Sequence, residues 1–266
     1  CNNAAFERER KRVCKMKSKR LPSLNVALLV ESRNNNQLKH IFMQNKIISI
    51  LFLLLVVINA NAQKKVDTNT SIEQQGMVDI HSLDKTIRVS LMYSRSNNFT
   101  GEVLYTDLTK AYLHPLAAHA LVKAQAKLKE LRPDLSLIIF DATRPMSIQQ
   151  KMWDKVKNTS KDIYVSNPAN GGGLHNYGLA VDISICKLNG DTITMGTKVD
   201  HMSLASHVDN ENNLVAKRII TKEAQQNREL LRLVMQHAGF KPLRTEWWHF
   251  NFRSRAQAKQ FFKVVK

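Results

Sequence analysis

Two short segments far apart in the chain set the strictest condition on its fold. One runs Gly173-Leu-His175-Asn-Tyr-Gly178-Leu-Ala-Val-Asp182, and the other is Glu246-Trp247-Trp248-His249. Together they hold two imidazoles, a carboxylate and a spare Glu. That is the inventory of a catalytic zinc centre: three protein ligands, a fourth position for water, and a base for that water's proton. A fold that uses it must bring the two segments side by side.

Each ligand residue has an ordinary structural alternative. His175 follows Gly171-Gly172-Gly173 and precedes Gly178, and glycine there lets the backbone turn tightly and present the imidazole at a loop edge. Asp182 lies among Ala180, Val181, Ile183 and Ile185. A carboxylate in such a strand is costly unless it is paired or bound to a metal. A strand-end hydrogen bond accounts for Asp182 alone, and core packing accounts for the two Trp residues alone. Taken together with His249, ligation by His175, Asp182 and His249 is the better reading. Residues three apart on an ideal strand point to opposite faces. Glu246 and His249 therefore share a site only across a turn or bulge, which places Glu246 just before the regular strand. Arg144, in Asp141-Ala-Thr-Arg-Pro145, either stabilises an oxyanion or pairs with Asp141 or Glu246.

The N-terminal part reads differently. Cys1 is not an ordinary translated start, and Met43 opens a better one, with Lys46 and an apolar run from Ile47 to Ile58 broken only by Ser49. Ala60-Asn61-Ala62 then forms a cleavage site, so residues 43–62 read as a secretory signal peptide that leaves Gln63 at the mature N-terminus. The run is short against the roughly 20 residues of a spanning helix, so no membrane span is expected after cleavage. Residues 1–42 are expected to be a disordered upstream extension foreign to the native protein, and residues 63–266 one catalytic domain in the periplasm or secreted.

Charge follows this division. The chain carries 40 Lys+Arg and 22 Asp+Glu, a net +18, of which residues 1–62 hold 11 basic and 3 acidic residues. The remaining +10 is scattered, with no basic stripe interleaved with aromatics, which argues against nucleic-acid binding. Only Cys186 falls in the mature part, so no internal disulfide is expected. There is no P-loop, no G-x-S-x-G elbow and no His-Glu-x-x-His.

Periodicity predicts an amphipathic helix over 116–131 ended by Pro133, a buried strand over 135–140 and a helix from Pro145 or Ser147. It also predicts a strand over 179–185, a helix from an N-cap at Thr221 to His237 with Gly239 beyond it, and a strand over 244–252. The alternation suggests an α+β fold with a small antiparallel sheet flanked by helices.

Several motifs in order carry a resemblance. They are Tyr93 through Asn98-Phe-Thr-Gly101, Asp141-Ala-Thr-Arg-Pro145, His175 to Asp182, Met195-Gly196 with Asp200, Glu223-Ala-Gln-Gln-Asn-Arg228, and Glu246-Trp-Trp-His249. From about Val89 to Phe252 the chain resembles the VanX-type D-alanyl-D-alanine dipeptidases, zinc D,D-peptidases that share a fold with the hedgehog signalling domain. The resemblance implies one Zn2+ per chain on His175, Asp182 and His249, Glu246 as general base and Arg144 as oxyanion stabiliser. It also implies Asp200 as the partner of a substrate α-ammonium, and Tyr93 and Tyr105 as pocket lining. The implied substrate is the small dipeptide D-Ala-D-Ala. The alternatives are a D,D-carboxypeptidase acting on peptidoglycan stem peptides and a non-catalytic zinc-stabilised binding module. A purely structural site needs neither Glu246 nor Arg144. The sequence departs from the family where a Ser is usual two residues before the first His: Gly173 stands there, and a hydroxyl is lost from the pocket rim.

Overall fold

The computed structural model describes residues 37–52 and 66–266. The chain divides into two units, Cys1–Lys65 and Val66–Lys266. In the first, residues 37–52 are helical. Leu38, Ile41 and Phe42 lead into the apolar run, and a helix once nucleated propagates through such residues. Ala60-Asn61-Ala62 and residues 1–36 lie outside the described residues. Among the described residues no helix is long and apolar enough to cross a membrane.

The second unit contains, in chain order, α1 Thr68–Gln74, β1 Val78–Asp79, α2 Ile80–Leu83, β2 Arg88–Val89 and β3 Tyr112–Leu113, followed by α3 Pro115–Leu131, β4 Leu135–Asp141, α4 Met146–Val156 and β5 Ala180–Lys187. It closes with α5 Glu211–Ala216, α6 Lys222–His237, β6 Lys241–Leu243, β7 Glu246–Asn251 and α7 Arg255–Phe261. Its main sheet has the order β2-β4-β5-β7-β6. All its neighbours are antiparallel except β2 and β4, which run parallel. The expected α+β architecture, a small antiparallel sheet with helices, is what the chain forms, with that one parallel edge.

Local chemistry explains the long elements. Pro115 sits in the first turn of α3, where its missing N–H costs nothing, and the His114 ring caps Leu116 N. Ala117, Leu121, Ala124 and Leu128 form its buried stripe. Thr221 caps α6 by accepting from Ala224 N at 3.0 Å, and Gly239 follows the helix at φ +90°. Helices α3 and α6 pack on each other, α3 against β4 and α6 against β5 and β6. Along β5, Val181, Ile183 and Ile185 alternate with Asp182 and Ser184, so the carboxylate emerges on the opposite side from that apolar row.

Register then positions the chemistry. Asp141 on β4 lies opposite Asp182 on β5, and Asp182 lies opposite His249 on β7. Three adjacent strands thus contribute one row of polar side chains. A register shift between Ile139 and Asp141 re-aims the end of β4 toward that row.

Candidate functional site

His175 arrives from a 3-10 turn, Leu174–Tyr177, that runs directly into β5. Gly178 closes the turn at φ +65°, where a Cβ would stand 2.7 Å from His114 N, so the sharp entry to the strand requires glycine. The His175 backbone carbonyl accepts from Arg144 N at 3.0 Å, which ties this turn to the end of β4.

The donor atoms of the three residues form a compact triangle. His175 Nε2 lies 3.2 Å from His249 Nδ1 and 3.3 Å from Asp182 Oδ1, and His249 Nδ1 lies 3.0 Å from Asp182 Oδ1. Tetrahedral ligation at about 2.0–2.1 Å spaces ligand atoms about 3.3–3.4 Å apart. Both rings are oriented from behind. His175 Nδ1 donates to Ala142 O at 2.7 Å, and His249 Nε2 donates to Asn251 Oδ1 at 2.8 Å. With those protons committed outward, the inward nitrogens carry lone pairs. Two lone pairs and a carboxylate oxygen packed this closely repel one another unless a cation sits between them. The donor set therefore fits a divalent ion such as zinc. Among the described residues this is the one group of His, Cys, Asp or Glu side chains placed to share a metal.

Glu246 lies beside the triangle, with Oε2 3.9 Å from His249 Nδ1. The expected placement just before the strand is corrected: Glu246 is the first residue of β7. The irregularity lies in the pairing instead. Pro242 pairs with Phe250 while the next residue, Leu243, pairs with Glu246, so the residues between Glu246 and Phe250 bulge away from β6. That bulge turns Glu246 and His249 to one side. Burial pushes the Glu246 carboxyl up to about 8, with Asp182 adding to the shift and His249 opposing it. A cation on the ligands acts in the opposite direction and favours the charged base.

Arg144 takes the pairing alternative, with Asp141 as its partner. Its Nε and Nη2 donate to Asp141 Oδ2, its Nη1 donates to Gln149 Oε1 at 2.8 Å, and it still lines the cleft. Nη2 stands 3.8 Å from Asp182 Oδ2. The guanidinium is thereby held rigid with its charge facing the site. Tyr93 also lines the cleft, and its hydroxyl donates to Asp200 Oδ2 at 2.7 Å. Asp200 adopts φ +62°, a conformation that non-glycine residues avoid and that accumulates at functional positions. Burial pushes its carboxyl up to about 7, reinforced by Asp182. The Tyr93 hydrogen bond and the Arg144 charge oppose that shift without cancelling it.

Tyr105 is not where the resemblance implies. Its hydroxyl donates to Asp141 Oδ1 at 2.6 Å behind Arg144, and it opens onto a different depression with Leu91 and Leu108. Tyrosine in a buried strand-side position needs a partner for its hydroxyl, and the buried Asp141 is the nearest acceptor. Tyr105 thus fixes the Asp141–Arg144 pair from behind. Asp141, Gln149, Asn251 and the Ala142 carbonyl are supporting groups that motif reading does not single out as site residues. Asp141 leaves a signal as the partner offered to Arg144 in its motif, and Asn251 leaves one because it is two residues beyond His249 and must share its strand face.

The cleft has a volume of about 720 Å³ and is walled by Trp248, Phe99, Trp153 and Leu174 among others. This falls within the range of small-ligand sites, about 300–1,000 Å³. A hydroxyl is present at its rim despite Gly173. A Cβ at Gly173 would meet Ser166 Oγ at 2.9 Å, so Ser166 takes the space a side chain there would need. Gly173 has φ −103°, which any residue can adopt, so space alone is limiting. We expect Gly173→Ser to cost about 1–3 kcal/mol through overpacking. Adding Ser166→Gly should recover most of that loss, as read from urea midpoints. An unchanged midpoint in the single variant would contradict the crowding.

Comparison with known proteins is consistent across most of the chain. The family model Peptidase M15, described as D-ala-D-ala dipeptidase, matches residues 73–266. The D-alanyl-D-alanine dipeptidase of Escherichia coli (strain K12) is 29% identical over 180 residues, covering 68% of this chain and 86% of the relative. That of Enterococcus faecium is 26% identical over 193 residues, covering 66% and 91%. That of Enterococcus faecalis (strain ATCC 700802 / V583) is 25% identical over 207 residues, covering 72% and 98%.

Proposed function

Because the chain belongs to the peptidase M15 family and is a peptidase, we propose that it hydrolyses D-alanyl-D-alanine using one zinc ion held by His175, Asp182 and His249. The observation that carries the reading is the triangle of outward-anchored donors with Glu246 beside it. Zinc held there would act as a Lewis acid on a water and on the scissile carbonyl. Glu246 takes the proton of the attacking water and returns it to the leaving amine. Arg144, fixed by Asp141 and Gln149, faces the oxyanion that forms at the carbonyl. Asp200 and the Tyr93 hydroxyl hold the free α-ammonium of the substrate and anchor it at one end of the cleft. An extension on that nitrogen removes the charge and occupies the space, so the arrangement selects free dipeptides.

The segment with Lys46, the apolar run and Ala60-Asn61-Ala62 supports an exported location for the enzyme. Substrate choice is tested by comparing kcat/KM on D-Ala-D-Ala, on N-acetyl-D-Ala-D-Ala and on a stem pentapeptide. We expect the free dipeptide to be preferred by about 100-fold or more, as a lost buried ion pair commands. Faster cleavage of the pentapeptide would establish the carboxypeptidase instead. No hydrolysis of any of the three would favour the binding module.

A further inference from the structure

The loop that carries Asp200 is held to α6 by one buried cation and to the metal-ligand strand by one tryptophan. Arg228 on α6 is fully buried, yet it lies away from the cleft. Its Nε donates to Met195 O at 2.7 Å and its Nη2 to Ala205 O at 3.0 Å, so one guanidinium grips both ends of the segment 195–205. Its charge is balanced by Glu211, which also pairs with Arg232. Arg228 Cζ lies 5.6 Å from the centre of the Trp247 ring, and Trp247 Nε1 donates to Thr197 Oγ1 at 2.7 Å inside the same segment. Thr197 Oγ1 meets Ser206 Oγ at 3.2 Å, and Ser206 in turn bonds His201 O. At the near end, Gly196 at φ +80° lies so close to Ile220 that an added Cβ would stand 2.7 Å from its Cγ2.

Asp200 sits in the middle of this stitched loop in a backbone conformation it would not hold alone. A short loop with an unfavourable φ at its centre keeps that φ only if its ends are over-determined. Arg228 and Trp247 supply that constraint. Trp247 also belongs to β7, between Glu246 and His249, so the ammonium loop and the metal-binding strand are referenced to the same side chain.

We propose that Arg228, acting through Trp247, is a positioning residue that sets Asp200 for the substrate ammonium. It touches neither substrate nor metal. The inference rests on the proposed role of Asp200. It predicts that losing the clasp and losing the Asp200 charge damage the same step.

The test is a double-mutant cycle on the full-length zinc-loaded protein with D-Ala-D-Ala as substrate, using Asp200→Asn, Arg228→Lys and the double variant, with zinc content measured for each. Lysine keeps the charge but cannot reach both carbonyls. We expect Arg228→Lys to raise KM about tenfold or more while kcat and zinc content change little. The double variant should fall within about twofold of Asp200→Asn, because the clasp has nothing left to position. Losses that multiply in the double variant, or a fall in kcat at unchanged KM, would overturn the inference alone. If Arg228→Lys does not fold, Trp247→Phe removes the bond to Thr197 together with part of the ring beneath Arg228, and decides by the same cycle. Absence of hydrolysis by the unmodified protein would overturn both the substrate reading and this inference.

Discussion

Glu246→Gln is expected to lower kcat on D-Ala-D-Ala by about 10³-fold while leaving zinc binding and folding intact. The substitution is nearly isosteric and removes the basic function alone. General acid–base groups contribute about 10²–10⁴ in rate, and here one carboxylate serves both the attacking water and the leaving amine. The residue is 8% exposed and its carboxylate is not one of the three donors of the triangle, so its loss leaves the ligand set unchanged. Burial that pushes the Glu246 carboxyl upward is also removed as a cost when the neutral amide replaces it, so the variant should be no less stable than the parent. The measurement is kcat together with metal content and the urea midpoint. Activity within tenfold of the parent would remove Glu246 from the chemistry.

Arg144→Ala should fail in two ways at once. Asp141 is fully buried and relies on Arg144 for two of its hydrogen bonds, the third coming from Tyr105. Removing the cation leaves a buried carboxylate without a counter-charge, at a cost of about 3–5 kcal/mol. The same deletion takes away the donor facing the oxyanion, worth about 10²–10³ in kcat. Arg144→Ala combined with Asp141→Asn separates the two effects. The pair of neutral residues should regain much of the stability and none of the activity. If the double variant regained activity as well, Arg144 would be a structural partner only.

The parts of the site legible in the sequence are those whose chemistry forces an unusual residue into an unusual place. An aspartate between Val181 and Ile183 and a His flanked by glycines are such cases. The long elements were also readable, because α3, α6 and β4 carry enough periodic residues and proper caps for local preference to agree with packing. What was not readable depends on pairing between distant stretches. The strands β1, β2 and β3 have two residues each, too few for any alternation to show, and β2 joins β4 in parallel only because the sheet edge accepts it. Glu246 was misplaced by a residue because the bulge is a property of β6 and β7 together. Tyr105 was assigned to the pocket by resemblance, but its hydroxyl goes to Asp141, a buried carboxylate expected to pair with Arg144 and not with a tyrosine.

The account depends on one metal ion gathered by His175, Asp182 and His249. Metal-stripped protein titrated with zinc while D-alanine release from D-Ala-D-Ala is followed tests this directly. The expected result is no release without metal and a linear rise that stops at about one equivalent, a stoichiometry set by one three-ligand site. Full activity in the stripped protein, or recovery by zinc in a His249→Ala variant at the same single equivalent, would contradict it.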